Sequence, residues 1–204
     1  GVVGDFHLVH LGARAIGGAG LVMVEASAVN PEGRITPWCA GLWNEEHVVA
    51  WKRVTDFIAK HGAKSAIQLA HAGRKASTQR GWDGKTGSIA IEDGGWEAIS
   101  STSEEFEGYT EPRELTTSEV YEVIEEFKVA AERSVRAGFD AIEIHAAHGY
   151  LIHEFLSPLT NQRADEFGGS LENRARVLIE IVKAMRSVIP NSMPLMIRFS
   201  ATDY

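Results

Sequence analysis

Two histidines three residues apart, followed closely by a tyrosine, are the residues of this chain best suited to chemistry: His145-Ala146-Ala147-His148-Gly149-Tyr150. Each neutral imidazole can present one N–H to a common oxygen, which would make a two-donor site for an oxyanion. Tyr150 is a weak acid and can deliver a proton to carbon or oxygen. Two further groups suit the same site. Gln68 carries amide donors and an acceptor, matching a heterocycle with alternating N–H and C=O groups. Arg198 carries a permanent positive charge that would stabilise an anion formed nearby. Each has a plainer reading. Gln and Arg at strand ends often serve structure alone, and the histidines could be satisfied by backbone carbonyls. His145, His148 and His153 could also be metal ligands, although an i,i+3 pair at a strand exit need not converge on one ion. Arg163, Asp165, Asn173 and Arg174 read as a loop-bracing network, Trp82 and Trp96 as packing residues of a loop, and Cys39 as inert.

These groups need a scaffold, and the chain supplies alternating helices and strands. Phe139 to Tyr150 reads as a short buried strand that delivers the two histidines and the tyrosine at its C-terminal end, with Ile142 and Ile144 on one parity and Ala141, Glu143 and His145 on the other. The capping box Thr116-Thr117-Ser118-Glu119 opens the helix before it, Val120, Ile124, Phe127, Ala131 and Val135 form its stripe, and Gly138 stops it. Phe6 to Ile16 reads as a helix with Phe6, Val9, His10, Ala13 and Ile16 on its apolar face. Leu21 to Val24 reads as a strand covered on both faces, leaving through Glu25-Ala26-Ser27. Asn44 caps a helix with the stripe Val48, Trp51, Val54 and Ile58, and Lys64 to Ala70 is the next strand. Ala72 to Leu115 is long, polar and glycine-rich, which suggests a hairpin or lid. Leu151 to Leu156 forms a helical turn, and Ser170 caps a helix with the stripe Leu171, Ala175, Leu178, Val182 and Met185. Pro194 to Ser200 is the last strand.

This α/β alternation implies parallel strands joined by helical crossovers. If the sheet curls into a barrel, the exits at Ala26, Gln68, His145 with His148, and Arg198 meet on one rim, the catalytic face of such barrels. Periodicity alone does not separate a barrel from an open doubly wound sheet. The glycine-rich dinucleotide fingerprint follows none of the strands. The chain has 204 residues, a net charge of −8 and no basic run, which argues against nucleic acid or an anionic membrane as partner. It has a single cysteine and no run of apolar residues long enough to span a bilayer, as expected in a reducing cytoplasm.

Several stretches together resemble the Old Yellow Enzyme family of FMN-dependent ene-reductases, nearest its NADPH dehydrogenase and xenobiotic reductase branch. They are Val24 to Val29, Ile67 to Lys75 (IQLAHAGRK), His145 to Tyr150, Ser157 to Arg163, Gly168 to Arg174, and Ile197 to Tyr204. The resemblance runs over essentially the whole chain. It implies a (β/α)8 TIM barrel with FMN at the rim, of which residues 1–204 hold about strands two to five as one partial domain truncated at both ends. It implies that Ala26 and Gln68 line the flavin and that Arg198 stabilises its reduced, anionic ring. His145 and His148 would hold the carbonyl or nitro oxygen of an enone or nitro substrate, and Tyr150 would donate a proton or position the substrate. The implied cofactors are FMN and NADPH or NADH, and the full-length protein would be a homo-oligomer. The flavin-tuning cysteine of that branch belongs to its first strand, so Cys39 is not that residue. On this template the 204 residues alone would bind FMN weakly or not at all. A metal-dependent hydrolase on a similar barrel, or a fragment inactive without cofactor, are the competing readings.

Overall fold

The computed structural model describes residues 1–82 and 84–203, so Tyr204, the last residue of the stretch after Arg198, lies outside the described residues. Four parallel strands form one sheet in chain order: β1 (Leu21–Ala28), β2 (Lys64–Ala70), β5 (Ala141–Ala146) and β6 (Leu195–Phe199). Helices α1 (Asp5–Ile16), α2 (Glu45–Lys60), α3 (Thr117–Arg136), α4 (Leu151–Leu156) and α5 (Leu171–Arg186) alternate with them. A four-stranded parallel sheet whose neighbours are consecutive strands is the beginning of a barrel wall, and the fold is part of a (β/α)8 barrel.

The capping signals act as read. The Asn44 side chain accepts from the His47 N–H, Ser170 from Asn173, and Thr116 from Glu119, whose carboxylate accepts the Thr116 N–H in return. Gly138, at φ +85°, ends α3 in the left-handed region that favours glycine. The stripes of α2 and α3 reach the core, where Trp51, Ile58 and Phe127 are fully buried.

One face of the sheet carries the core. Val22, Val24, Ile67, Leu69, Ile142 and Ile144 pack with the helices, as does the partly buried Ile197. The other parity faces away from that core, and this explains the first departure from expectation. β1 is not covered on both faces: Val22 and Val24 are buried, but Leu21 and Met23 are exposed on the opposite side. The expected face of α1 is also the exposed one. Phe6, Val9 and Ile16 lie open, while Leu11, Gly12 and Ala15 are buried. The reason is close packing on α2: a Cβ at Gly12 would stand 2.6 Å from the Phe57 ring, so only the small-residue side can approach. In α5 the buried stripe is Val177, Leu178, Ile181 and Met185, with Leu171 exposed at the start of the first turn.

The segment between Ala72 and Leu115 is not a simple hairpin. It holds two short 3-10 turns, Gly73–Lys75 and Ile91–Asp93, and an isolated antiparallel bridge, Thr78 to Ser88. A pair of two-residue strands, β3 (Ile99–Ser100) and β4 (Arg113–Glu114), runs parallel. Trp96 is half-buried against Ala72, Ala76 and Ala98, with the Arg34 guanidinium 4.7 Å from its ring, but Trp82 is 82% exposed and packs no core. No described helix is long and apolar enough to cross a membrane.

Candidate active site

Parallel registry sets the site out in rows, because side chains at paired positions share a face. Gln68 pairs with Glu143, which pairs with Met196; one step on, His145 pairs with Arg198. Ala26 joins the Gln68 row only through a bulge. Met23 pairs with Ala66 and Ala26 with Gln68, so β1 spends one more residue than β2 between these points. That extra residue turns Ala26 from the parity of Val22 and Val24 to the open face. All four strand exits singled out in the sequence therefore meet on one face and at one end of the sheet.

The rows are tied by specific bonds. Gln68 Nε2 donates to Glu143 Oε1 at 2.6 Å, which fixes the amide and leaves its oxygen as an acceptor. His145, 3% exposed, accepts the Ala147 N–H on Nδ1 at 3.3 Å, so its proton sits on Nε2. That Nε2 stands 3.2 Å from His148 Nδ1, with the two rings nearly perpendicular. The Tyr150 ring lies edge-on to His145, 5.0 Å between centroids, and rests on the small Ala72, Ala76 and Ala98 cluster. Arg198 is exposed beside His145.

The electrostatics keep the pair neutral. Burial first, then the charges of His148 and Arg198, lowers the His145 pKa to about 4. Burial, Arg198 and Lys75 lower that of His148, and burial raises that of Tyr150. Two neutral nitrogens 3.2 Å apart bracket a place where one oxygen could meet both donors. With the His145 proton on Nε2, His148 Nδ1 accepts from it; the other tautomer of His148 would turn that nitrogen into a second donor.

His148 has φ +63°, a left-handed conformation that costs a non-glycine residue about 1–2 kcal/mol. His153 turns elsewhere: its Nδ1 accepts the Gly149 N–H at 2.7 Å and its Nε2 meets Asp203 at 2.8 Å. The three histidines thus do not converge. Among the described residues no group of three or more His, Cys, Asp or Glu side chains is placed to hold a metal ion. Arg163 is buried and braces the loops, bonding Asp165 and the carbonyls of Leu115 and Ser101. Arg174 bonds the Leu156 and Gly169 carbonyls, and Asn173 accepts from Arg176. Cys39 exchanges hydrogen bonds with Thr36.

Reading residue types along the chain missed four groups. Glu143 was visible only as sharing parity with His145; Lys75 and Ser200 lay inside notable stretches with nothing to mark them. Glu154 carried no signal at all. It is fully buried on α4, accepting the Arg74 N–H at 2.9 Å and the Ser100 hydroxyl at 2.8 Å. Burial pushes its pKa up to about 8, against the lowering effect of Ser100 and Arg74. A carboxyl that holds its proton more tightly folded than unfolded stabilises the fold below its unfolded pKa, about 4.5. That stability is lost as pH rises through about 8. Thermal melts at several pH values should show the loss on the alkaline side. Glu154→Gln should flatten it and melt higher than the parent above pH 8; a parallel displacement at every pH would contradict this assignment.

A cavity of about 310 Å³ opens beside this end, touching Lys75, Phe106, His148 and Ser200. A larger one of about 650 Å³, lined by Leu21, Lys64, Pro194 and Met196 among others, lies at the opposite ends of the strands and touches neither histidine.

Comparison with known proteins shows the family and the fold. The model of the NADH:flavin oxidoreductase / NADH oxidase family matches residues 1–204. An NADPH dehydrogenase of Bacillus subtilis is 48% identical over 204 residues, covering 100% of this chain and 55% of that protein. The structure of morphinone reductase in complex with tetrahydroNAD superposes with a TM-score of 0.83 at 31% identity, over 97% of this chain and 55% of that one. The Old Yellow Enzyme homologue of Zymomonas mobilis gives 0.82 at 28% identity, over 97% and 54%. The chain spans about half the length of the curated relatives it matches.

Proposed function

Because the chain belongs to the NADH:flavin oxidoreductase / NADH oxidase family, we propose that its protein is an FMN-dependent NAD(P)H oxidoreductase. On this reading it reduces the activated C=C bond of α,β-unsaturated carbonyl or nitro compounds. The observation that carries it is the neutral pair His145 Nε2 and His148 Nδ1, 3.2 Å apart, on the face that also bears Gln68 and Arg198.

The residues present fit a flavin. Ala26, only half-buried, puts a small side chain beside Gln68 where a flat ring could lie, and Gln68 is held with its oxygen as an acceptor. No hydrogen bond or ion pair to another described residue occupies the Arg198 guanidinium. Ala26 and Gln68 would line the ring and Arg198 would sit by its electron-rich edge. When bound, FMN supplies two-electron chemistry, taking hydride from a reduced nicotinamide and giving hydride to the substrate carbon. His145 and His148 hold the substrate oxygen, withdraw electron density from the double bond and stabilise the charge that develops on that oxygen. Tyr150, whose pKa burial raises, keeps its proton at working pH and can give it to the α-carbon or to the oxygen. A cytoplasmic setting is proposed on the strength of the single cysteine among these 204 residues, and a homo-oligomeric full-length protein from the family resemblance alone.

The test is spectroscopic. The complete protein should absorb near about 450 nm, bleach on addition of NADPH without oxygen, and recover its colour when a cyclic enone is added. A bleached protein that no enone or nitroalkene reoxidises would remove the substrate assignment. A colourless protein that takes up no FMN would remove the cofactor.

A further inference from the structure

We propose that Lys75, together with Ser200, is a positioning residue for the histidine pair: the two side chains clamp the His148 backbone in the conformation that turns its ring onto His145. Lys75 Nζ donates to the His148 carbonyl at 2.9 Å, and the His148 N–H donates to Ser200 Oγ at 2.9 Å. Both polar groups of one residue's backbone are thus held by side chains from other strands' exits, β2 on one side and β6 on the other. The residue so held is one of two non-glycine residues with positive φ among the described residues. A left-handed histidine relaxes unless its surroundings hold it there.

The Lys75 side of the clamp is itself built. The turn Gly73–Lys75 starts at φ +60°, and a Cβ at Gly73 would strike the Glu154 carboxyl. Glu154 accepts the next N–H, that of Arg74. The Lys75 ammonium sits 4.0 Å from the centre of the Phe106 ring, a cation–π contact that fixes its height. A Cβ at Gly149 would approach it to 2.9 Å, so Gly149 leaves the room it needs. No carboxylate forms an ion pair with Lys75 among the described residues, which leaves the His148 carbonyl as its hydrogen-bond partner. The groups around His148 that titrate or carry charge are His145 on β5, Tyr150, Lys75, Arg198 on β6 and His153 on α4; of these Arg198, Lys75 and His153 disfavour its protonated form.

The clamp serves the proposed oxygen site and rests on that reading, but its geometry can be tested without turnover. In the complete, FMN-loaded protein with 15N-labelled histidine, the ring nitrogens of His148 report tautomer and pKa directly. Lys75→Met and Ser200→Ala should each move those signals toward a mixed tautomer, and K75M should raise the His148 pKa; the flavin absorbance should stay as in the parent. Enone turnover should fall about ten- to a hundredfold in kcat with KM little changed, the signature of a misplaced donor. Lys75→Arg should restore part of the loss. Unchanged His148 signals in both variants would overturn the clamp, whatever happens to turnover. So would a K75M effect confined to KM, which would mean that Lys75 touches substrate instead. If K75M does not fold, S200A alone decides by the same signals. Signals that move as expected in a protein whose parent does not reduce enones would uphold the clamp and refute the function proposed above.

Discussion

His145→Ala should lower kcat/KM for a cyclic enone by about 100- to 1000-fold, the usual cost of one donor in an oxyanion site. The residue is placed to have that effect. Its Nδ1 accepts the Ala147 N–H, which leaves Nε2–H as the donor that the proposed function assigns to the substrate oxygen. With a pKa near 4 it is neutral throughout any ordinary assay range, so the loss should be the same at pH 6 and pH 9. Removing the ring also leaves His148 Nδ1 without its partner, so the remaining donor is less well aimed. Steady-state kinetics at matched FMN content is the measurement, with flavin absorbance checking that the ring still binds. A loss below about threefold would show that the pair does not hold the reacting oxygen. The same neutrality predicts an acid limit. His145, and the buried His71 with a pKa near 3, must gain protons on unfolding as pH falls below about 6.5, so the native state weakens there.

The largest effect on stability should come from Arg163→Met, about 2–4 kcal/mol, chiefly because two buried carbonyls lose their donor at about 1–3 kcal/mol each, the partly exposed Asp165 adding less. The Arg163 side chain is 4% exposed. It bonds both oxygens of Asp165, at 3.0 and 2.5 Å, and donates to the carbonyls of Leu115 at 2.5 Å and Ser101 at 3.2 Å. Methionine would leave two buried carbonyls unpaired and the Asp165 carboxylate facing an apolar chain. That carboxylate is held down to about 2, chiefly by Arg163, and with the pair gone its pKa should rise toward the ordinary range. Urea unfolding of parent and variant reads the difference, and an Asp165→Asn control separates the ion pair from the carbonyl contacts. A variant within about 1 kcal/mol of the parent would show that the brace is solvated. kcat should be spared as long as the variant stays folded, because Arg163 makes none of the contacts around His145 and His148.

The caps of α2, α3 and α5, the glycine stop at Gly138, and the strands at Lys64 and Ala141 were legible because they are local. Each depends on residues within one turn or one strand of each other, and the side-chain spacing states the physics directly. The types of the site residues were legible for the same reason, with His145, His148 and Tyr150 standing within six positions. What spacing misjudged was which apolar face is buried. The exposed stripe of Phe6, Val9 and Ile16 is as periodic as a buried one; only the fit of Gly12 against Phe57 on the neighbouring helix chooses between them.

By itself, then, the sequence determined an alternating α/β chain with parallel strands, the order of its elements, and the chemical groups waiting at their ends. Folding in three dimensions decided how those groups meet. A one-residue bulge in β1 puts Ala26 on the face of Gln68; Glu143 orients the Gln68 amide; Lys75 and Ser200 converge on His148 from residues 73 and 52 positions away. Helix and strand formation is governed by neighbours along the chain, whereas a hydrogen bond across strands depends on registry, twist and bulges, which arise only when the sheet assembles.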